Sequence, residues 1–167
     1  LTDRQHYDLI CDGNIEPHEA PYIAYYILSD KMGTQKHKKL KNLPDNFSVL
    51  NIYGRVTSFM KVKWFRYRHV SEWLSGIKHS SLVVTDSYHG VLFSIIYNKQ
   101  FVCIANQSRG MSRILGILKM ADLESRLCMD EKIDLQEFIN NRIDYKDTNR
   151  NLQAAIASSK SYLSQAF

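Results

Sequence analysis

No run of about 18 apolar residues occurs in the chain, so no helix of it is expected to span a bilayer. The first residues lack a basic stretch followed by an apolar one, and no signal peptide is expected. Leu1-Thr2-Asp3 stands where an initiator methionine would be, which suggests a piece of a longer parent. Cysteine is sparse. Cys11, Cys103 and Cys128 are an odd number at wide spacing, which argues against a disulfide framework and against a zinc site. Cys103 sits in an apolar run and is expected to be a small buried hydrophobe, and a reducing cytoplasm fits this cysteine usage. His6, His18, His37, His69 and His79 show no metal-ligand spacing, so no metal is expected. Internal repeats and low-complexity tracts are missing. So are Gly-x-Gly-x-x-Gly, P-loop, Gly-x-Ser-x-Gly and Cys-x-x-Cys patterns.

What is present suits one folded domain. The length of 167 residues allows a real core, and 44% apolar with 23% charged residues excludes a disordered chain. The net charge of +5 is uneven. Lys31, Lys36, Lys38, Lys39, Lys41, Arg55, Lys61, Lys63, Arg66 and Arg68 crowd the first half with few acids between them. Such a bias suits an anionic partner: a phosphorylated small molecule, an acidic glycan carrier, a membrane surface or nucleic acid. It also suits a plain solvated basic face.

The pattern predicts strands and helices in alternation. A short helix over 3–10 capped by Thr2 precedes a loop marked by Gly13, Pro17 and Pro21. Tyr22 to Leu28 is of strand length and composition, and Ser29 or Asp30 opens a helix to about Lys41. Ser48 to Tyr53 is a second strand. Gly54 to His69 shows no clear period and reads as a long basic, aromatic loop. Ser71 caps a helix, Leu82–Thr85 is a third strand and Val91–Tyr97 a buried helix. Phe101–Ala105 is a fourth strand, and Met111–Met120 carries apolar residues at helical spacing. Leu135–Asn140 and a segment from Asn149 or Asn151 to Phe167 close the chain as helices. Short apolar strands alternating with helices predict an α/β domain, a parallel sheet with helices on both faces.

Ligands of such sheets bind at the carboxyl ends of the strands, which selects the turns after Thr85 and after Ala105. The first is Thr85-Asp86-Ser87-Tyr88-His89-Gly90, a strand end opening a helix. Free amides at that helix start suit a phosphate or carboxylate, Ser87 adds a hydroxyl, Gly90 permits close backbone approach, and His89 is a candidate proton carrier. The same residues also make an ordinary helix cap with a histidine satisfied by a nearby carbonyl. The second turn holds Ser108, Arg109 and Arg113. The two arginines suit bidentate pairing with an anion, or surface pairing with acids such as Asp122 or Glu124. Trp64, Phe65 and Tyr67 interleave with Lys61, Lys63, Arg66 and Arg68, a composition for binding a sugar ring or nucleobase, or for packing a loop.

Glu72-Trp73-Leu74, then Ser81 through Gly90, then Arg109-Gly110 and Arg113-Ile114, resemble the polysaccharide pyruvyl transferase family, from about Tyr22 through the closing helix 152–167. The resemblance implies a Rossmann-like domain, similar to the C-terminal half of a GT-B-like two-domain enzyme, spanning 21–167. Residues 1–20 would then be a connector from an N-terminal domain, itself a partner. It implies transfer of a pyruvyl group from phosphoenolpyruvate to a sugar or lipid-linked glycan as a ketal, in surface-polysaccharide synthesis. The implied place is the cytoplasm, with peripheral contact at the inner membrane face; no nucleic-acid partner is expected. No cofactor is implied beyond that donor. His89 corresponds to the family's proton donor or acceptor, and Arg109 to a cation holding the donor's anionic groups; Arg113, Ser108, Asp86, Ser87 and Gly90 complete the expected binding set. Ser87 stands where other branches carry arginine, and Gln100 where a proline is common. The competing readings are a nucleotide-sugar-dependent GT-B-like glycosyltransferase and a non-catalytic module for anionic glycans.

Overall fold

The computed structural model describes residues 4–11, 21–31, 34–35, 40–59, 62–106, 110–130 and 132–166. Its centre is a five-stranded parallel sheet in the order β3-β1-β6-β7-β8, built from β1 (Tyr22–Tyr26), β3 (Ser48–Asn51), β6 (Leu82–Thr85), β7 (Phe101–Ile104) and β8 (Leu127–Cys128). Every pairing within it is parallel, with Ala24 opposite both Leu50 and Val83, and Val84 opposite Val102. The alternation of side chains along a strand explains why the inner strands are apolar throughout. Tyr22, Ala24, Val83, Phe101 and Cys103 enter one core. Ile23, Tyr25, Leu82, Val84, Val102 and Ile104 enter the other. This is the Rossmann-like α/β arrangement the strand–helix alternation predicts.

The first core is closed by α1 (Arg4–Cys11), α2 (Val70–Lys78), α3 (Tyr88–Ile96), α4 (Met111–Ala121) and α6 (Tyr145–Ala166) through Cys11, Leu74, Ile77, Val91, Ile95, Ile114, Leu118 and Leu152. The opposite core is closed by α5 (Leu135–Asn140) and by β2 (Leu40–Lys41) paired in parallel with β9 (Ile133–Asp134). Each fully buried side chain of this kind contributes roughly 1.5–3 kcal/mol. Helix α1, from the segment expected to be a connector, packs on the domain. Tyr7 meets Phe93 edge-on at 4.9 Å, Asp8 pairs with Lys78 at 3.0 Å and the Cys11 thiol lies 3.1 Å from the Tyr97 hydroxyl. Gln100 holds the backbone of Ile143 at both ends of its amide, accepting from its N–H at 2.7 Å and donating to its carbonyl at 3.2 Å. A proline at this position would lack both of these side-chain groups.

Four local expectations change. The helix expected over 30–41 is absent where it is described. Asp30 is irregular, Lys31, Thr34 and Gln35 lie in turns and Leu40–Lys41 is a strand; the other residues of that span are outside the described set. The Asp30 carboxylate accepts from the amides of Thr34 and Gln35, four and five residues on. A helix cap reaches two or three residues on, so the same side chain closes a wider turn. The stretch 54–69 is an antiparallel hairpin, β4 (Gly54–Phe59) against β5 (Val62–Tyr67), instead of a loop. Helix α2 is capped two residues early by His69, whose N–H donates to Glu72 at 2.8 Å, instead of by Ser71. Helix α6 starts at Tyr145, ahead of Asn149, because the Asp144 carboxylate accepts from the Lys146 amide at 2.9 Å.

Candidate active site

In chain order the sheet strands run 2-1-3-4-5, so the crossover reverses between β1 and β6. A crevice opens at the carboxyl ends of the strands at such a reversal. Three strand-end segments meet there: Leu28–Ser29 after β1, Asp86–Ser87 after β6 and Asn106 after β7. Asp86 joins all three. Its carboxylate accepts from the Leu28 amide at 2.6 Å, the Ser29 hydroxyl at 3.4 Å and the Asn106 side-chain amide at 3.2 Å. The residue is 3% exposed, so its oxygens face the protein.

Ser87 caps α3 and is also buried. Its amide donates to the Thr85 hydroxyl at 3.1 Å, and its own hydroxyl lies beside the Tyr26 phenol. Burial, then the neighbouring Tyr53 and Asp86, hold the Tyr26 phenol above its ordinary pKa, outweighing the Ser87 contact. Gly90 is buried one turn into α3. A Cβ there would lie 2.2 Å from the Thr85 hydroxyl oxygen and 2.9 Å from Thr85 Cβ. The close approach for which a glycine is needed is that of helix to strand; the space is filled by Thr85.

His89 and Arg113 point the other way. Both are exposed. The imidazole meets the Tyr88 ring edge-on at 5.6 Å, and the Arg113 guanidinium sits over that ring at 5.3 Å. One tyrosine ring therefore contacts both an imidazole and a guanidinium. Neither side chain makes a hydrogen bond or ion pair with another described residue, and Arg113 does not engage Asp122 or Glu124. Gly110, at φ 58°, caps α4 in the left-handed region that glycine reaches without strain. A side chain there would press on the Arg113 guanidinium at 3.1 Å. Helices α3 and α4 follow adjacent parallel strands, so their amino ends open on the same edge of the sheet. The free amides and partial positive charge of each favour an anion there.

Of the residues expected to contact substrate, the structure thus brings His89 and Arg113 together outside, and turns Asp86, Ser87 and Gly90 inward as the frame. Ser108 and Arg109 lie outside the described residues. Sequence reasoning passed over Tyr88, Tyr26 and the Leu28–Ser29 turn. Tyr26 ends an apolar strand and the turn follows it, a signal that was visible, but only the strand order shows that β1 borders the crevice. Cys103 is buried as expected, and burial first, then Asp86 and Cys128, push its thiol up to about 12, leaving it unreactive. Among the described residues no group of three or more His, Cys, Asp or Glu side chains is placed to hold a metal, and no helix is long and apolar enough to cross a membrane.

No curated protein and no solved structure matches the chain. The family model for polysaccharide pyruvyl transferase matches residues 5–108. The match begins within α1, ahead of the Tyr22 start seen by resemblance, and ends before Arg109 and Arg113. It takes in β1, the hairpin, β6 and the whole Thr85–Gly90 turn. Because it covers more than half of the sequence, this chain belongs to the polysaccharide pyruvyl transferase family.

Proposed function

We propose that the protein moves the pyruvyl group of phosphoenolpyruvate onto two hydroxyls of a glycan as a cyclic ketal, with His89 as the proton carrier. Family membership implies a transferase with a glycan acceptor. The donor and the residue roles rest on one observation: an exposed imidazole and an exposed guanidinium both in contact with the Tyr88 ring, where two helix amino ends open at the sheet edge.

The chemistry needs those groups. Protonation of the methylene carbon of an enol phosphate makes a methyl group and leaves positive charge on the central carbon. His89 in its cationic form supplies that proton, imidazole being the side chain that exchanges one near neutrality. One sugar hydroxyl adds to the central carbon and gives up its proton. The carbon–oxygen bond to phosphate then breaks, and the second hydroxyl closes the ring. Two protons leave the hydroxyls; one replaces that taken from His89 and one leaves with phosphate. Arg113 and the amides of α3 and α4 hold the carboxylate and the departing phosphate, with Arg109 and Ser108 as further contacts. Synthesis of a surface polysaccharide, beside the inner face of a membrane, is the setting in which such an acceptor is presented.

The test is acceptor-dependent phosphate release from phosphoenolpyruvate. His89→Ala is expected to lower kcat by about 100-fold or more with folding intact. An unchanged rate in that variant removes His89 from the mechanism.

A further inference from the structure

The hairpin β4–β5 has no place in the catalytic scheme, yet it stands directly on the site's frame. Beyond the Ser87 hydroxyl lies Tyr26. The Tyr26 ring stacks on Tyr53 at 5.5 Å and 29°. Tyr53 meets Tyr67 edge-on at 5.4 Å and lies nearly parallel to Phe65 at 6.3 Å, while Phe65 and Tyr67 meet at 5.1 Å. A ladder of rings thus leads from the turn that carries His89 out along the hairpin. A lone two-stranded ribbon is marginal in water, and packing of Phe65 on Tyr53 accounts for its order. It does not account for Tyr67, which ends the ladder 57% exposed.

A cation lies on the same path, with two arginines nearby in sequence. The Lys31 ammonium is 5.9 Å from the Tyr53 ring centre. Arg66 reaches Glu72 at 3.5 Å with 48% of its side chain exposed. Arg68 donates to the Asn51 carbonyl at 3.2 Å. Arg66 alternates with Phe65 and Tyr67 along β5 and so lies on the opposite face of the ribbon, which leaves Lys31 as the cation beside the rings. Sugar rings present C–H faces to aromatic rings, and an acidic sugar or sugar phosphate adds the matching charge.

We propose that this ladder is the acceptor subsite and that it takes an acidic glycan, stacked on Tyr53 and Tyr67 with its anionic group toward Lys31. The proposal rests on the pyruvyl transferase reading for which sugar enters, and it places the acceptor on the β1 side of the crevice, with the donor on the β7 side. Nucleic acid would also find rings and a cation here; the family's glycan chemistry favours the sugar.

Two measurements on the protein test it. The first is calorimetric titration, without phosphoenolpyruvate, of a hexuronic-acid oligosaccharide, its neutral counterpart and a single-stranded oligonucleotide. The acidic oligosaccharide is expected to bind the wild type best, to lose about tenfold in Tyr67→Ala and in Lys31→Ala, and to be held normally by Tyr67→Phe, which keeps the ring. The second is steady-state turnover, in which Tyr67→Ala raises the acceptor KM by a similar factor and leaves the donor KM where it was. No saturable binding of the acidic oligosaccharide to the wild type overturns the proposal. So does equal binding by Tyr67→Ala and Lys31→Ala, or tighter binding of the oligonucleotide. Turnover of phosphoenolpyruvate is scored separately: its absence beside intact glycan binding removes the donor assignment and leaves the subsite standing.

Discussion

At Gly90 a side chain has no room, because Thr85 occupies the space at 2.2–3.0 Å from where a Cβ would be. Thr85 cannot step aside: it is fully buried in β6 and its hydroxyl accepts the Ser87 amide. Alanine at position 90 gains about 1 kcal/mol of helix propensity but forces α3 off the sheet. Overpacking of this kind costs about 1–3 kcal/mol. We expect Gly90→Ala to be destabilised on balance in denaturant unfolding, and to lose activity as well, since the shift moves His89. His89 itself answers to a different pressure. Its neighbour Gly90 is held by packing, whereas the exposed imidazole makes no polar contact that folding requires among the described residues. A stable but inactive His89→Ala is therefore the expected pair of results.

Among elements, the turn after β1 shows how a side chain decides local structure. Asp30 is buried and its carboxylate accepts from Tyr25 at 2.9 Å as well as from Thr34 and Gln35. Burial works to raise its pKa, but those hydrogen bonds together outweigh it and the folded value falls below 3.8. A depressed carboxylate stabilises the fold fully above its unfolded pKa, and that stability is lost as pH falls through the lower folded value. The stability difference between wild type and Asp30→Asn is thus expected to be constant near neutrality and to shrink below pH 3.8, followed by urea unfolding across pH. A difference that stays level down to strong acid removes the ionised Asp30 from the account. The hairpin teaches the opposite lesson about legibility. Val62 and Trp64 are apolar at even positions, Phe65 and Tyr67 at odd ones, so the two-residue period slips between Trp64 and Phe65. A slipped period looks like no period, and only the pairing of Gly54 with Tyr67 through Phe59 with Val62 shows the ribbon.

For the molecule as a whole, the site depends on Asp86 joining segments 58, 57 and 20 residues away in sequence. Removing its carboxylate leaves the Leu28 amide and the Asn106 side chain without their acceptor. Asp86→Ala is expected to lose roughly 3 kcal/mol of stability, at about 1–3 kcal/mol for each orphaned donor. Asp86→Asn, which keeps one accepting oxygen, should lose less. Calorimetric unfolding of the two variants gives the comparison; equal stability of Asp86→Ala and wild type would mean that the three strand ends hold together without it.

The amino-acid sequence by itself determined four of the five strands of the central sheet, most of the helices and the turn that carries His89, because alternation, helical spacing and a polar turn after an apolar strand are local properties of a few neighbouring residues. Only the tertiary structure decided which side of that turn faces the crevice. Asp86, Ser87 and Gly90 are as polar or as small as any ligand-binding residue, and their inward roles come from Leu28, Tyr26 and Thr85. It likewise brought Arg113 as well as His89 against the Tyr88 ring and put Tyr26 beside Ser87. The physical reason is strand order: which edge joins which is set by how the two cores close over the sheet, and no local pattern records it.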